Sequence, residues 1–233
     1  MTVIAHCLPT GDSVELDAHL SILRLTSEWS KIAPKGWELD YYSVRAPVSI
    51  ARETLVELAL RKKAGLVVSS AAGVVNVADV VIFQDSDVAV PEASDYVKIA
   101  QTLLNAPEDV ALVGAPCIQQ ERTGRRLRVN VWCDNPNEAM QRAQPFECRA
   151  IGFGLVAIRA SVFSVLDKPW FFFESRPDGR LSGEDVGFCD RIRILGYKVW
   201  ADPRIEVAHA FRRSFSIRGA DLELLAALSG DDP

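Results

Sequence analysis

Short apolar runs alternate with amphipathic stretches along most of this chain, and that alternation restricts it to an α/β fold. Thr2–Cys7 reads as a first strand, ended by Pro9-Thr10-Gly11. Val14–Trp29 reads as a helix that carries Leu16, Leu20 and Leu23 on one face. Glu38–Val44 reads as a second strand and Ile50–Lys62 as an amphipathic helix. Gly65–Val77 fits a strand or a helix. Val80–Phe83 is apolar throughout, the pattern of a strand buried on both faces. Pro91 opens a helix that runs to about Asn105, since proline is tolerated in a first turn. Val110–Val113, Leu127–Cys133, Phe146–Ile151 and Leu155–Arg159 read as further strands. Gly183–Leu195 reads as a helix stopped by Gly196. Short strands at Lys198–Trp200 and Ile205–Ala208 and a terminal helix at Ala220–Leu228 complete the pattern. The first half has the look of a nucleotide-binding βαβ region, and the second half mixes strands and turns around what reads as an acceptor region. Both are expected to share one sheet.

Composition narrows the class. Of 233 residues, 48% are hydrophobic and 24% charged, the balance of a globular protein with a real core and not of a disordered chain. The formal charge of −5 argues against non-specific binding to nucleic acid or anionic membrane. Five dispersed cysteines with no Cys-x-x-Cys pair read as reduced thiols in a cytoplasmic setting. The opening residues Met1–His6 lack a basic region and a long apolar stretch, so no signal peptide is expected, and no apolar run has the length of a membrane span.

The sharpest local feature is Asp85-Ser86-Asp87, separated from the apolar run only by Gln84. Ligands of open α/β sheets bind outside the carboxyl ends of strands. Two carboxylates there can hold a hard divalent cation against a diphosphate. The competing reading makes both acids caps of the helix near Pro91 or members of a solvated turn. A second cluster, Ser182-Gly-Glu184-Asp185, fits a capping box, and the same helix start can present a carboxylate as general base to a cleft. His209 follows a short strand; it is an ordinary structural histidine unless the fold sets it beside Asp87, where imidazole completes a metal shell. His6 and His19 carry no such context. Trp170-Phe-Phe-Phe173 reads first as core packing and second as an apolar wall beside the cleft. Gly152-Phe-Gly154 permits close backbone approach. The basic stretch Arg122–Arg128 reads as a solvated loop, or as a contact for phosphates.

Taken in order, these motifs resemble a family. Pro9-Thr10, Ile50-Ala-Arg52, Ile82-Phe-Gln-Asp85-Ser-Asp87, Val113-Gly-Ala-Pro116, Ile151-Gly-Phe-Gly154, Pro169-Trp-Phe, Glu184-Asp185-Val-Gly-Phe188-Cys189, Gly196 to Pro203 and His209 together resemble compact phage and bacterial GT-A glycosyltransferases of the family 2-like kind, over about residues 1–212. The resemblance implies a single α/β domain over 1–215 with a mixed, mostly parallel central sheet flanked by helices. Residues 1–91 form its nucleotide-sugar half, 92–215 its acceptor half, and 216–233 a C-terminal helical tail. It implies transfer of a sugar from a nucleotide-diphosphate sugar to a hydroxyl acceptor (a glycan, a small molecule or modified nucleic acid) with Mn2+ or Mg2+. Asp85, Asp87 and His209 are the implied metal ligands, Asp87 directly. Asp185 is the implied base of an inverting route, with Glu184 on the acceptor or sugar. Pro9, Thr10, Arg52, Asp85 and Ser86 are the implied nucleotide-sugar contacts, with Gly152 and Gly154 bordering the sugar. Arg52-Glu53 in place of Arg-Asn, the long Gly65–Val77 stretch and Gln84 depart from the family pattern. The alternatives are a catalytically silent sugar-nucleotide or glycan-binding module, and a sugar nucleotidyltransferase on the same fold. The second normally has a Gly-rich basic loop that Pro9-Thr-Gly-Asp does not provide.

Overall fold

The computed structural model describes residues 2–11, 13–60, 78–120, 127–135, 140–141, 143–175, 179 and 181–210. The expectations for Gly65–Val77, for most of Arg122–Arg128 and for the tail at 216–233 lie outside the described residues. In chain order the elements are β1 (Thr2–Thr10), α1 (Leu16–Ile32), β2 (Trp37–Arg45), α2 (Val48–Leu60), β3 (Val80–Gln84), β4 (Val88–Ala89), α3 (Ser94–Asn105) and β5 (Val110–Gly114). There follow β6 (Ile118–Gln120), β7 (Leu127–Val129), β8 (Val131–Trp132), β9 (Phe146–Cys148), β10 (Ala150–Ile151) and β11 (Leu155–Arg159). The last are β12 (Glu174–Ser175), β13 (Leu181–Ser182), α4 (Glu184–Ile194), β14 (Lys198–Ala201) and β15 (Ala208–His209).

Seven strands form the central sheet in the order β2-β1-β3-β11-β5-β14-β9. β1 pairs in parallel with β2 and β3, and β5 with β14; β11 and β9 run against their neighbours. The chain leaves β1 toward β2 and returns to β3 on the other side of β1. The carboxyl ends of β1 and β3 therefore flank a topological switch point, where a crevice opens in sheets of this kind.

β3 shows why its apolar run is unbroken. Val81 and Phe83 enter the core under α2 and α4 with Leu55, Val56, Phe188 and Ile192. Val80 and Ile82 enter the opposite core under α1 and α3 with Leu25, Tyr96, Ile99 and Leu103. Alternate side chains of one strand thus fill two layers, each fully buried residue contributing about 1.5–3 kcal/mol. Trp170 and Phe171 are buried in the first layer, which bears out the packing reading of that aromatic run, while Phe173 is exposed.

Some boundaries differ from expectation. β1 continues through Pro9 to Thr10; beyond Cys7 its registered partner is β2 alone, so the missing N–H of Pro9 does little harm. α1 turns Ala18, Ser21, Ile22 and Leu25 inward and leaves Leu16, Leu20 and Leu23 exposed. The small residues at 18 and 21 let the helix lie close to its neighbours, where three leucines are too bulky. α3 starts at Ser94 with Ala93 as its cap, so neither Asp85 nor Asp87 caps it. The run Ile205–Ala208 is not a strand; the strand is Ala208–His209, paired with Val88–Ala89. No described helix is long and apolar enough to cross a membrane.

Candidate functional site

The carboxyl end of β3 runs straight into a tight turn. The Val88 N–H donates to the Asp85 carbonyl at 3.1 Å, closing the turn over Ser86 and Asp87. Three neighbours fasten it. The Asp85 N–H donates to Gly154 O at 3.0 Å, the Glu15 N–H to Ser86 O at 2.8 Å, and the Ala210 N–H to Asp87 O at 2.8 Å. The last bond belongs to the short β4–β15 ladder, which registers His209 against Val88. Pairing of strands more than a hundred residues apart is what carries His209 to Asp87. Its Nε2 lies 3.2 Å from Asp87 Oδ2. Its Nδ1 lies 2.9 Å from the Ile118 carbonyl, an acceptor, so Nδ1 carries the hydrogen and Nε2 is the atom aimed at the carboxylate. Hydrogen bonds to Asp87 first, then to Cys117 and the Ile118 carbonyl, raise the His209 pKa to about 11 against the opposing effect of burial.

The three side chains named as metal ligands divide. Asp87 and His209 face each other, whereas Asp85 Oδ1 lies 2.6 Å from Arg52 Nη2. Among the described residues no three His, Cys, Asp or Glu side chains form a metal-holding group. A carboxylate oxygen and an imidazole nitrogen whose second nitrogen is anchored on a carbonyl do form the donor set of a transition-metal site. The fit is to a cation that takes two protein ligands and keeps open positions.

Arg52 is only 2% exposed and comes from α2. Besides Asp85 it pairs through Nη1 with Glu184 at the start of α4. Its guanidinium lies over Phe153, 5.1 Å from the ring centroid, and over Phe83 at 5.9 Å. Burial works against its charge, but Asp85, Glu184 and Asp185 outweigh that and hold it protonated. Desolvation pushes Asp85 up to about 6, with Arg52 opposing and Asp87 adding repulsion. Glu184 is itself buried. The residue placed on the acceptor or sugar by resemblance is engaged with Arg52.

Asp185 lines the cleft together with Asp85, His209, Gly152 and Gly154. The capping box does not form. Ser182 belongs to β13, Gly183 is the cap of α4 and contributes no side chain, and Asp185 lies within the first turn. Its Oδ1 accepts the Val186 N–H at 2.7 Å. Desolvation and the neighbouring Glu184 raise its pKa, against the pull of that N–H and of Arg52. Pro9 and Thr10 end β1, where the Thr10 hydroxyl donates to Val44 O at 3.1 Å. Neither they nor Arg52 and Ser86 are among the residues that line this cleft.

Sequence reasoning missed Val88, Cys117 and Asn130, which also line it, as does Phe153 within the Gly152–Gly154 segment. Asn130 is buried; its Oδ1 accepts the Cys117 N–H at 2.7 Å and its Nδ2 donates to Gly152 O at 3.3 Å. A Cβ on Gly152 would stand 2.7 Å from that Nδ2, so the glycine permits this contact. The one signal was a lone Asn inside an apolar run, at the break between β7 and β8.

No protein-family model matches the chain, and no curated protein sequence matches it. Among solved structures it is similar to A197 from STIV, with a TM-score of 0.57 at 18% identity over 91% of this chain and 87% of that one. It is also similar to GalNAc-T7, solved with UDP, GalNAc and Mn2+, with a TM-score of 0.50 at 12% identity over 91% of this chain. The match spans 44% of GalNAc-T7, less than half of that protein. At such identities the likeness speaks for the fold, and together with the mixed sheet and its switch point it shows that this chain has a GT-A-type glycosyltransferase fold.

Proposed function

We propose that this chain is a metal-dependent glycosyltransferase that moves a sugar from a nucleotide-diphosphate sugar to a hydroxyl acceptor. The observation that carries the reading is the approach of His209 Nε2 to Asp87 Oδ2, 3.2 Å apart at the carboxyl end of β3, with His209 lining the same cleft as Asp185. Asp87 and His209 hold Mn2+ or Mg2+, with the Ile118 carbonyl keeping the imidazole in the right tautomer. When bound, the ion stabilises the charge that develops on the departing diphosphate.

Asp185 takes the acceptor proton on its carboxylate in an inverting route, and desolvation makes it a stronger base than an ordinary surface aspartate. In a retaining route the same carboxylate stabilises positive charge on the sugar. Asp85 and Glu184 act through Arg52, which fixes both. Pro9, Thr10 and Ser86 border the nucleotide. Gly152 and Gly154 border the donor sugar and the acceptor. The acceptor is a glycan, a small molecule or modified nucleic acid. Five free cysteines support a reducing, cytoplasmic setting.

A panel of nucleotide sugars with and without Mn2+ tests this by thermal shift, since a ligand that binds the folded state alone raises Tm. One donor is expected to stabilise the protein only when Mn2+ is present. Asp87→Ala abolishes that shift. Asp185→Asn keeps it and loses transfer, which separates an enzyme from a silent binding module. Normal turnover by Asp185→Asn would remove Asp185 from the chemistry. Mn2+-dependent donor binding by Asp87→Ala would overturn the metal site.

A further inference from the structure

Gln84, between the apolar part of β3 and Asp85, is fully buried, and every hydrogen-bonding position of its carboxamide is used. Its Oε1 accepts from Tyr96 Oη at 2.6 Å and from His6 Nε2 at 2.9 Å. Its Nε2 donates to the Ser21 hydroxyl at 3.1 Å and to the Val88 carbonyl at 2.7 Å. These partners come from α3, β1, α1 and β4, so one side chain joins four elements behind the turn. A buried carboxamide bonded at all four positions fixes one geometry, because each broken bond strands a desolvated polar group.

The bond to Val88 O is the informative one. Val88 closes the Asp85–Val88 turn through its N–H, and it is the residue registered against His209 in the β4–β15 ladder. Gln84 thus grips, from beneath, the residue that sets both the turn and the strand bringing His209 in. Gln84 itself is absent from the lining of the cleft, whereas Val88, which it holds, is part of that lining.

We infer that Gln84 is a positioning residue: its carboxamide holds the Asp85–Val88 turn so that the Asp87 carboxylate stays within reach of the His209 imidazole. The metal consequence rests on the proposed function; the hold on the turn does not. Outer contacts that orient ligands are commonly worth about 10- to 100-fold in metal affinity.

The test compares Gln84→Met, which keeps the length of the side chain and loses every bond, with Tyr96→Phe, which removes one bond on the opposite side of the same carboxamide together with the Tyr96–Ser21 contact. Tyr96→Phe serves as the control for general loss of stability. Two readouts are taken on the full chain. Hydrogen exchange of a peptide spanning residues 84–90 is expected to speed up at least about tenfold in Gln84→Met, beyond any change in global unfolding, and to stay within about twofold of wild type in Tyr96→Phe. The dissociation constant of Mn2+ alone, read by electron paramagnetic resonance, is expected to rise about tenfold in Gln84→Met and to hold within about twofold in Tyr96→Phe. Unchanged exchange in Gln84→Met overturns the inference. So does a loosened turn that binds Mn2+ as tightly as wild type, or equal effects in the two variants. A wild-type protein that binds no Mn2+ instead overturns the metal reading, and the exchange comparison then decides the role of Gln84.

Discussion

A neutral histidine is stored beneath the candidate site. His6 is fully buried, stacks on Tyr41 at 5.5 Å between ring centroids and meets the edge of Tyr96 at 5.3 Å. Its Nε2–H donates to Gln84 Oε1, and its Nδ1 has no hydrogen-bond partner among the described residues. The groups packed against it, Tyr41, Tyr96 and Gln84, are uncharged at neutral pH. Burial lowers its pKa from 6.5 to about 4, with the Gln84 bond opposing weakly. The unfolded chain therefore binds this proton before the folded one does. The stabilising contribution is complete above pH 6.5 and drains away as the pH falls toward about 4, at about 1.4 kcal/mol per pH unit. Urea midpoints taken between about pH 7 and about pH 5 are expected to fall more steeply for wild type than for His6→Asn. Equal slopes would show that His6 is not held neutral. Read as a string, His6 was one polar residue in an apolar strand. Its partners Tyr41, Gln84 and Tyr96 lie 35, 78 and 90 places away, so local pattern had no means of naming them.

At the scale of elements, the start of α4 governs where Asp185 points. Gly183 caps the helix with φ −61° and ψ 155°, which any residue adopts, so its role is spatial. A Cβ there would stand 2.5 Å from Asp185 Oδ1. Gly183→Ala is expected to fold, to lose about 1 kcal/mol or less as a poorer cap, and to displace the Asp185 carboxylate. Transfer should fall about 10- to 100-fold, while Mn2+-dependent donor binding holds. Unchanged turnover would mean that the carboxylate can swing without cost. This element was legible as a helix because its apolar residues and terminal Gly196 follow ordinary rules. Its cap was misread, since the helix starts at Glu184 with Gly183 as its cap, one residue later than the Ser-x-x-acid spacing places it. β3 and its acids were legible for a firmer reason: four apolar residues, then Gln84, then Asp-Ser-Asp satisfy two constraints at once, burial on both faces and an exit to solvent. α1 failed the same treatment because two stripes at helical spacing compete on it, and tertiary packing selected the smaller residues. His209 needed its strand partner, and β4 is two residues long.

Across the whole molecule, the two halves of the chain are not separate bodies. β11, from the second half, lies between β3 and β5, and antiparallel pairing ties it to both. Arg52 repeats that union at the site: α2 supplies the guanidinium, the turn after β3 supplies Asp85, and α4 supplies Glu184. The exposures of these side chains, 2% for Arg52, 31% for Asp85 and 10% for Glu184, put the ion triad largely out of water. Removing the shared cation leaves two carboxylates facing one another without compensation, and the Phe153 and Phe83 rings lose their charge partner. Arg52→Met should therefore cost about 3–5 kcal/mol in urea unfolding, far more than a surface ion pair is worth. The companion variant identifies the cause. If the loss comes from stranded charge, Arg52→Met with Glu184→Gln recovers part of it, because one of the two uncompensated anions is gone. If it comes from packing around the guanidinium, the double variant is no more stable than the single one, and Arg52 is then a filler of the core between the halves instead of the charge that joins them.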